Sequence, residues 1–468
     1  MKKILPLVLL FFSILVDSSA QINVIKGQII DEDNNPVSYA NIGIANTQIG
    51  TASNEQGYFE LIISQVPDSS ELQVSAISHK TFTVKLSDIS NPEELIIKLE
   101  YHYVQMKEVE VNARDENAKN IVRKALNARS VNYTNKKYQL KGFYRELIRN
   151  DKEYVTLTEA AFTVDDKGYH KRDEKRFRLD ALRKSDDLRE MDSLDIHYDT
   201  LVRHNDLMSM FNRDYIDAKG SQWSFFIFPY FNESMVENFD FLLDSMAYYD
   251  NHLVYCISFF YNHKTVELNS VKKVMEYSQM FIRTDDYALI EMTRSSAPKE
   301  VTKTDKDVKG NVSYTVDGRN YGKLSIKYKQ YHGKWYPHHI TSHSSMTGGD
   351  RQKASRIAYE QMRASGSTEL DFTNTEYNGR KLDPDKNNYY KYRQLLITQV
   401  FDHRDKYQKI RRSELMQENK NVRNYHMPYN PRFWKDFNKT LMNSYLKAVQ
   451  RQLQKNIPLE EQFKKNGQ

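Results

Sequence analysis

Cysteine is almost missing from this chain. Its 468 residues hold one, Cys256, so no intramolecular disulfide can form. Cys256 lies in the apolar run Leu253–Phe260 and reads as a small buried hydrophobe rather than a reactive thiol. Nucleotide chemistry has no support, since neither a Gly-x-Gly-x-x-Gly nor a phosphate-loop pattern occurs. A Gly-x-Ser-x-Gly nucleophile turn is absent as well. None of the 13 histidines is followed three positions later by Glu, which removes the zinc-ligand spacing of a metallo-carboxypeptidase. Past the N-terminus no apolar run is long enough to span a bilayer as a helix. Charge of one sign is also lacking. The formal balance is +6, with 68 basic and 62 acidic residues interspersed, which describes a solvated surface rather than a nucleic-acid stripe. The most basic stretch, His403–Arg423, still contains Asp405, Glu414 and Glu418.

Aromatic residues are abundant. The 32 Tyr and 22 Phe supply buried surface that a hydrophobic share of 39% would otherwise leave short, and they favour pleated, half-buried strands. The length predicts two or three domains. Residues 1–20 read as an export signal: Lys2 and Lys3 precede the apolar segment Ile4–Val16, and Ser18-Ser19-Ala20 supplies small residues for cleavage. The segment is too short for a transmembrane anchor. No cysteine follows it, so lipid attachment by the lipoprotein route is excluded.

From Gln21 a period of two persists for about eighty residues. Ile25/Gly27/Ile29, Ala40/Ile42/Ile44, Phe59/Leu61/Ile63, Leu72/Val74/Ala76, Phe82/Val84/Leu86 and Leu95/Ile97/Leu99 each place alternate residues on one face, with polar turns between. That pattern predicts a β-sandwich. The residues Gly27-Gln-Ile29, Asp31, Pro36-Val37, Ala40-Asn41-Ile42, Gly50-Thr51, Ser53-Asn54 and Gly57-x-Phe59 resemble the carboxypeptidase regulatory-like domain, a transthyretin-like sandwich. The resemblance implies a docking module of bacterial envelope proteins, without the peptidase itself. Ser78-His79-Lys80 departs from the Gly-Tyr pair common in that family. A receptor barrel would need more chain than remains.

After a strand expected at Val104–Val111, Asp115–Arg129 changes to helical periodicity, with Ile121, Val122, Ala125, Leu126 and Ala128 on one face. Strands return at Tyr138–Ile148, Glu153–Val164, Phe239–Tyr248, His252–Tyr261, Lys273–Arg283, Tyr287–Arg294, Tyr321–Tyr331, Trp335–Met346 and Thr368–Tyr377, with a short helix near Thr200–Phe211. The fold class expected is mainly β with some α. A seven-stranded N-terminal sandwich precedes a larger α+β domain with an antiparallel curved sheet or half-barrel. The predicted divisions are 1–20 signal peptide, 21–112 sandwich, 113–137 helical connector, 138–380 β meander and 381–468 helical and loop region.

Tyr255–Tyr261 with Tyr277–Met292 is similar in pattern to the half-barrel of periplasmic lipoprotein carriers, which implies an apolar concave face. Gly142-Phe143-Tyr144-Arg145-Glu146, Tyr429-Asn-Pro-x-Phe433-Trp434 and Pro458–Phe463 resemble a family of exported, uncharacterised envelope proteins, a likeness that brings no chemistry.

The best histidine cluster is His338, His339 and His343. On a strand His339 and His343 share a face about 13 Å apart, too far for one metal ion. Ser270-x-x-Lys273 and Ser444-x-x-Lys447 lack companion motifs, and Asp165-Asp166 and Asp285-Asp286 suit turns. No catalytic, cofactor-binding or metal-ligating residue is assigned. The expectation is a non-enzymatic protein of the periplasm or outer membrane that binds an envelope partner or an apolar ligand such as lipid, with no nucleic acid. The alternatives are a hydrolase with an unfamiliar site and a glycan-binding surface protein using Tyr230, Trp335 and Trp434.

Overall fold

The computed structural model describes residues 24–63, 66–102, 111–150, 152–169, 175–189, 206–211, 231–261, 278–296, 322–346, 349–367, 371, 373, 375–377, 380–381, 389–403, 406–441, 444–454 and 457–468. The export signal, residues 104–110 of the strand expected over Val104–Val111, Asp151, Tyr230 and Ser270-x-x-Lys273 lie outside them, and Val111 itself opens a helix instead.

Seven short strands form the N-terminal sandwich: β1 Val24–Asp31, β2 Asn41–Ile44, β3 Gly50–Ala52, β4 Tyr58–Ile62, β5 Glu71–Ser75, β6 Phe82–Lys85 and β7 Leu95–Leu99. One sheet runs β4-β1-β7, with β1 and β7 parallel; the other runs β3-β2-β5-β6. The alternating residues close between them as Ile25, Ile29, Ile42, Phe59, Leu61, Leu72, Val74, Ile97 and Leu99, all buried. Gly27 is required by contact: a Cβ there would come within 2.0 Å of the Leu95 carbonyl oxygen. Gly57 has φ +77°, and its turn is closed by Asn54, whose Oδ1 accepts from the Gln56 and Tyr58 amides. At the divergent turn, Ser78 takes φ +66° and its amide donates to the Tyr248 carbonyl of the second domain.

The rest of the chain is organised by one ten-stranded antiparallel sheet that does not close. Its strands are β8 Tyr138–Arg149, β9 Tyr154–Asp166, β10 Arg176–Lys184, β11 Phe239–Tyr249, β12 His252–Tyr261, β13 Ser278–Arg283, β14 Leu289–Ser296, β15 Gly322–Tyr331 and β16 Lys334–Met346, then, after the small ribbon β17 Glu376–Tyr377 and β18 Arg380–Lys381, β19 Tyr389–Phe401. The order is β10-β9-β8-β19-β16-β15-β14-β13-β12-β11. Tight turns make the meander: Asp250-Asn251 and His332-Gly333 both have positive φ at each central residue, which matches the twist of the strands they join.

β19 is the keystone. It lies between β8 and β16 and joins the first three strands to the returning meander. The expectation of helix and loop from residue 381 onward missed it. Its core stretch Arg393–Thr398 is buried on both faces, so it lacks the alternation by which a half-exposed strand is recognised.

The two faces are covered differently. On one, the helix Val111–Asn127 lays Ala118, Ile121, Val122, Ala125 and Leu126 against the sheet, packing chiefly on β11. The short helices Asp206–Phe211 and Glu233–Asn238 join the same core. On the other face sit the sandwich and the C-terminal segment with its helices Pro431–Lys435, Ser444–Leu453 and Leu459–Asn466. Gly142 is the thin point of β8, since a Cβ would meet the Phe162 ring at 2.5 Å and the Leu396 carbonyl oxygen at 2.7 Å.

Candidate functional site

Because strand residues alternate in direction, neighbours on β8 are committed to opposite faces. Arg145 points to the sandwich side. Its Nε donates to Glu159 on β9 at 2.7 Å, and its two terminal nitrogens donate to the Thr440 hydroxyl and carbonyl at 3.3 and 3.0 Å. Glu159, fully buried, also accepts from Arg183 Nε on β10 at 2.5 Å. Burial alone would raise the Glu159 carboxyl, but Arg183 and Arg145 outweigh it and hold the pKa at about 2.

Glu146 points the other way. There Asp206, at the start of its helix, accepts from Lys391 at 2.9 Å and Arg393 at 2.8 Å, with Glu146 3.6 Å from Lys391. Burial raises the Glu146 carboxyl despite Lys391, whereas Lys391 and Arg393 more than offset burial at Asp206 and lower it. Of the two acids, Glu146 takes the first proton. Two acids and two bases are balanced and mutually paired, an arrangement that anchors the helix Asp206–Phe211.

The three motif segments that resemble the exported family come together on the sandwich side. Phe143 meets the Trp434 ring edge-on at 6.4 Å, and Arg183 lies over the rings of Trp434 and Phe463 at 4.5 and 5.4 Å. Asn430 caps the helix that carries Trp434, with Pro431 at its first position. Their shared role is to seal the C-terminal segment onto the sheet.

Where sandwich, sheet and C-terminal segment meet, a cavity of about 620 Å³ opens. The sandwich contributes Tyr39, Asn54 and Glu55; the sheet and its first hairpin contribute Arg145, Arg149, Lys152, Glu153, Tyr154, His343, Tyr390 and Tyr392; Leu441 and Gln452 close it. Tyr39 donates to Glu55 at 2.8 Å, and burial, followed by Tyr392 and Glu55, raises its phenol far above the ordinary value. Burial also lifts Tyr392 to about 12. His343 meets the Tyr392 ring at 4.7 Å, and burial lowers its pKa, so it is neutral in the fold near pH 7. Arg149 stacks on Tyr390 at 4.2 Å. A second cavity of about 940 Å³ lies along the sandwich edge, where Asn438 exchanges two hydrogen bonds with the Ile62 backbone and Lys439 pairs with Glu60. It is the seam of the docked sandwich.

The HHITSH histidines fall as their strand spacing requires. His339 and His343 share the sandwich-side face four residues apart, His339 bonding Gln394 at 2.8 Å and lying 5.2 Å from the Tyr39 ring. Burial and then Lys327 bring His339 to about 3. The aromatic platforms expected at Trp335 and Trp434 are not on the surface: these residues are only 4% and 2% exposed, because each fills a gap in a core. Asp285 and Asp286 sit in a turn, as their pairing suggests, where Asp286 accepts from the Ala288 amide. Thr368–Tyr377 contributes only the two residues of β17 among those described.

The fold and this cavity define a class: a β-sandwich docked on one face of an open antiparallel sheet. Residues 25–111 match the model of the CarboxypepD_reg-like domain family, so the N-terminal sandwich is a domain of that kind. The match covers less than a fifth of the chain. Comparison with curated proteins finds no match. Among solved structures, a LolA superfamily protein from Nitrosomonas europaea is 8% identical, covering 64% of this chain and 97% of its own at TM-score 0.23. A DUF1329 family protein from Desulfovibrio piger is 9% identical, covering 62% and 93% at TM-score 0.21. Likeness at that level carries no conclusion about this chain. Among the described residues no helix is long and apolar enough to cross a membrane.

Proposed function

We propose that this chain is a non-catalytic binding protein of the cell envelope, exported by its N-terminal segment, and that the cavity between sandwich, sheet and C-terminal segment is its ligand site. One observation carries the reading. Three separate parts of the chain converge on an open volume of about 620 Å³, within the range of ligand sites, and line it with four tyrosines and a mixed set of charges. Tyrosine faces with nearby Arg149, Lys152, Glu55 and Glu153 suit an elongated, hydroxyl-rich ligand such as an envelope glycan better than a hydrocarbon chain. The apolar face of the sheet supports a lipid ligand less, because its described part is filled by the chain's own Ile121, Leu126, Met280 and Ile326. Within the cavity, Ser344 follows His343 on one strand, so alternation turns their side chains apart and leaves no nucleophile–base pair between them.

Two measurements on the same purified protein test this. An array of bacterial envelope glycans should show binding that Tyr390→Ala and Lys152→Ala each weaken at least tenfold. Mass spectrometry of an organic extract should recover no stoichiometric lipid. Stoichiometric lipid would replace the glycan with an apolar ligand, and absence of both ligands would sink the binding reading.

A further inference from the structure

Outside the cavity, the hairpin turn between β15 and β16 comes to rest beside the end of β19, because β16 and β19 are neighbours in the sheet. His332 occupies that turn with φ +47°, followed by Gly333 at φ +73°. Asp402 and His403 follow β19 directly. His332 Nδ1 lies 2.8 Å from Asp402 Oδ2, and His403 Nε2 lies 3.8 Å from Asp402 Oδ1. The three donor atoms all fall within 4.8 Å of one another.

We propose that His332, Asp402 and His403 form a binding site for a divalent transition-metal ion of the zinc, cobalt or nickel type. Two imidazole nitrogens and a carboxylate are the donors such ions take at about 2.0–2.2 Å, leaving further positions for water. Donors sharing one ion at those lengths stand roughly 3.0–3.5 Å apart. The pairs here bracket that spacing, so small rotations of exposed side chains complete the site. The His332–Asp402 contact is a hydrogen bond, while His403 stands 3.8 Å from Asp402, beyond one, so an ion closing that gap would bring all three donors into one cluster. The turn is held as well: the Tyr331 ring stacks on His332 at 3.9 Å, and Tyr331 accepts a hydrogen bond from Gln48 of the sandwich. A bound ion would clip the β15–β16 hairpin to the end of the keystone strand.

The chain, produced without a histidine tag and stripped with chelator, would be titrated with zinc chloride by calorimetry and with cobalt chloride by visible absorption. One equivalent should bind, and the melting temperature should rise with zinc. His332→Ala, His403→Ala and Asp402→Asn should each weaken binding at least tenfold, while His426→Ala, an exposed histidine elsewhere, should leave it unchanged. The two histidines are exposed and Asp402 is half-buried, and the variants should keep the parent's circular dichroism. No saturable binding in the parent, or undiminished binding in the His332→Ala/His403→Ala double variant, overturns the site.

Discussion

The two faces of the ten-stranded sheet are built on opposite principles. The helix-covered face is dominated by hydrocarbon and aromatic surface: Leu140, Phe162, Ile282, Met292, Ile326 and Ile340 meet Ile121, Val122 and Phe211, and each buried side chain of this kind contributes about 1.5–3 kcal/mol. The sandwich-covered face has Arg145, Glu159, Gln394 and His339 buried, with the half-buried Arg183 beside them on the edge strand, paired with one another or with the C-terminal segment. Such pairs add little net stability against an apolar replacement, yet losing one partner is costly. On the first face the apolar surface holds the layers together, and a charged network on it, Glu146, Asp206, Lys391 and Arg393, fixes the helix Asp206–Phe211. On the second, the polar layer fixes the C-terminal segment through Arg145 and Thr440, while the sandwich is held by separate bonds from Gln48 to Tyr331, from the Val400 amide to Gln48 and between Asn438 and the Ile62 backbone.

The contrast can be broken at graded cost. Glu159→Ala strands the buried Arg145 guanidinium and removes the partner of the half-buried Arg183, and urea denaturation should show a loss of about 3–5 kcal/mol. If the loss were under 1 kcal/mol, the polar face would be as forgiving as a solvated surface. On the apolar face, Ile121→Ala should cost about 2–4 kcal/mol by the same measurement, with no change in glycan binding. Acid should separate the faces too. His339 titrates near 6.5 when unfolded but, dehydrated in the fold, only at about 3. As pH falls below 6.5 the unfolded chain takes a proton that the folded chain refuses, so stability declines through that window, by roughly 2 kcal/mol from this group between pH 6.5 and 5. His338 and His343, also lowered by burial, act in the same direction. Glu159 extends the loss as pH falls from its ordinary value toward about 2. His339→Gln should flatten the part of the stability curve above pH 5, and an unchanged slope there would contradict its neutral burial. Smallest is Gln48→Ala, which removes a bond to Tyr331 at 2.5 Å and one from the Val400 amide at 3.2 Å. It should cost about 1 kcal/mol and speed hydrogen exchange at Val400.

Legibility differed along the chain for physical reasons. The sandwich was readable because strands such as β4 and β5 alternate buried with more exposed residues, and the Asn54–Gly57 turn satisfies local rules that no distant residue alters. The meander hairpins were readable for the same reason, with Asp250-Asn251 and His332-Gly333 in turns that demand positive φ. β19 was not, since burial on both sides erases the period. Neither was the cavity, whose lining comes from residues 39–55, 145–154, 343–394 and 441–452. No window of sequence contains it. His332, Asp402 and His403 were visible only as a turn residue and the edge of a basic stretch, because their proximity depends on β19 lying beside β16.

By itself, then, the sequence determined the sandwich, its family likeness, the antiparallel hairpins and the lack of any recognised catalytic signature. All of these are written in spacings of a few residues, where backbone geometry and alternation act directly. Only the tertiary structure decided that residue 145 faces the sandwich while residue 146 faces the helices, that a late strand fuses two halves of the sheet, and that an open cavity remains between three docked parts. Those outcomes depend on which strands become neighbours, and pairing across hundreds of residues is settled by the combined burial of both faces rather than by any local pattern.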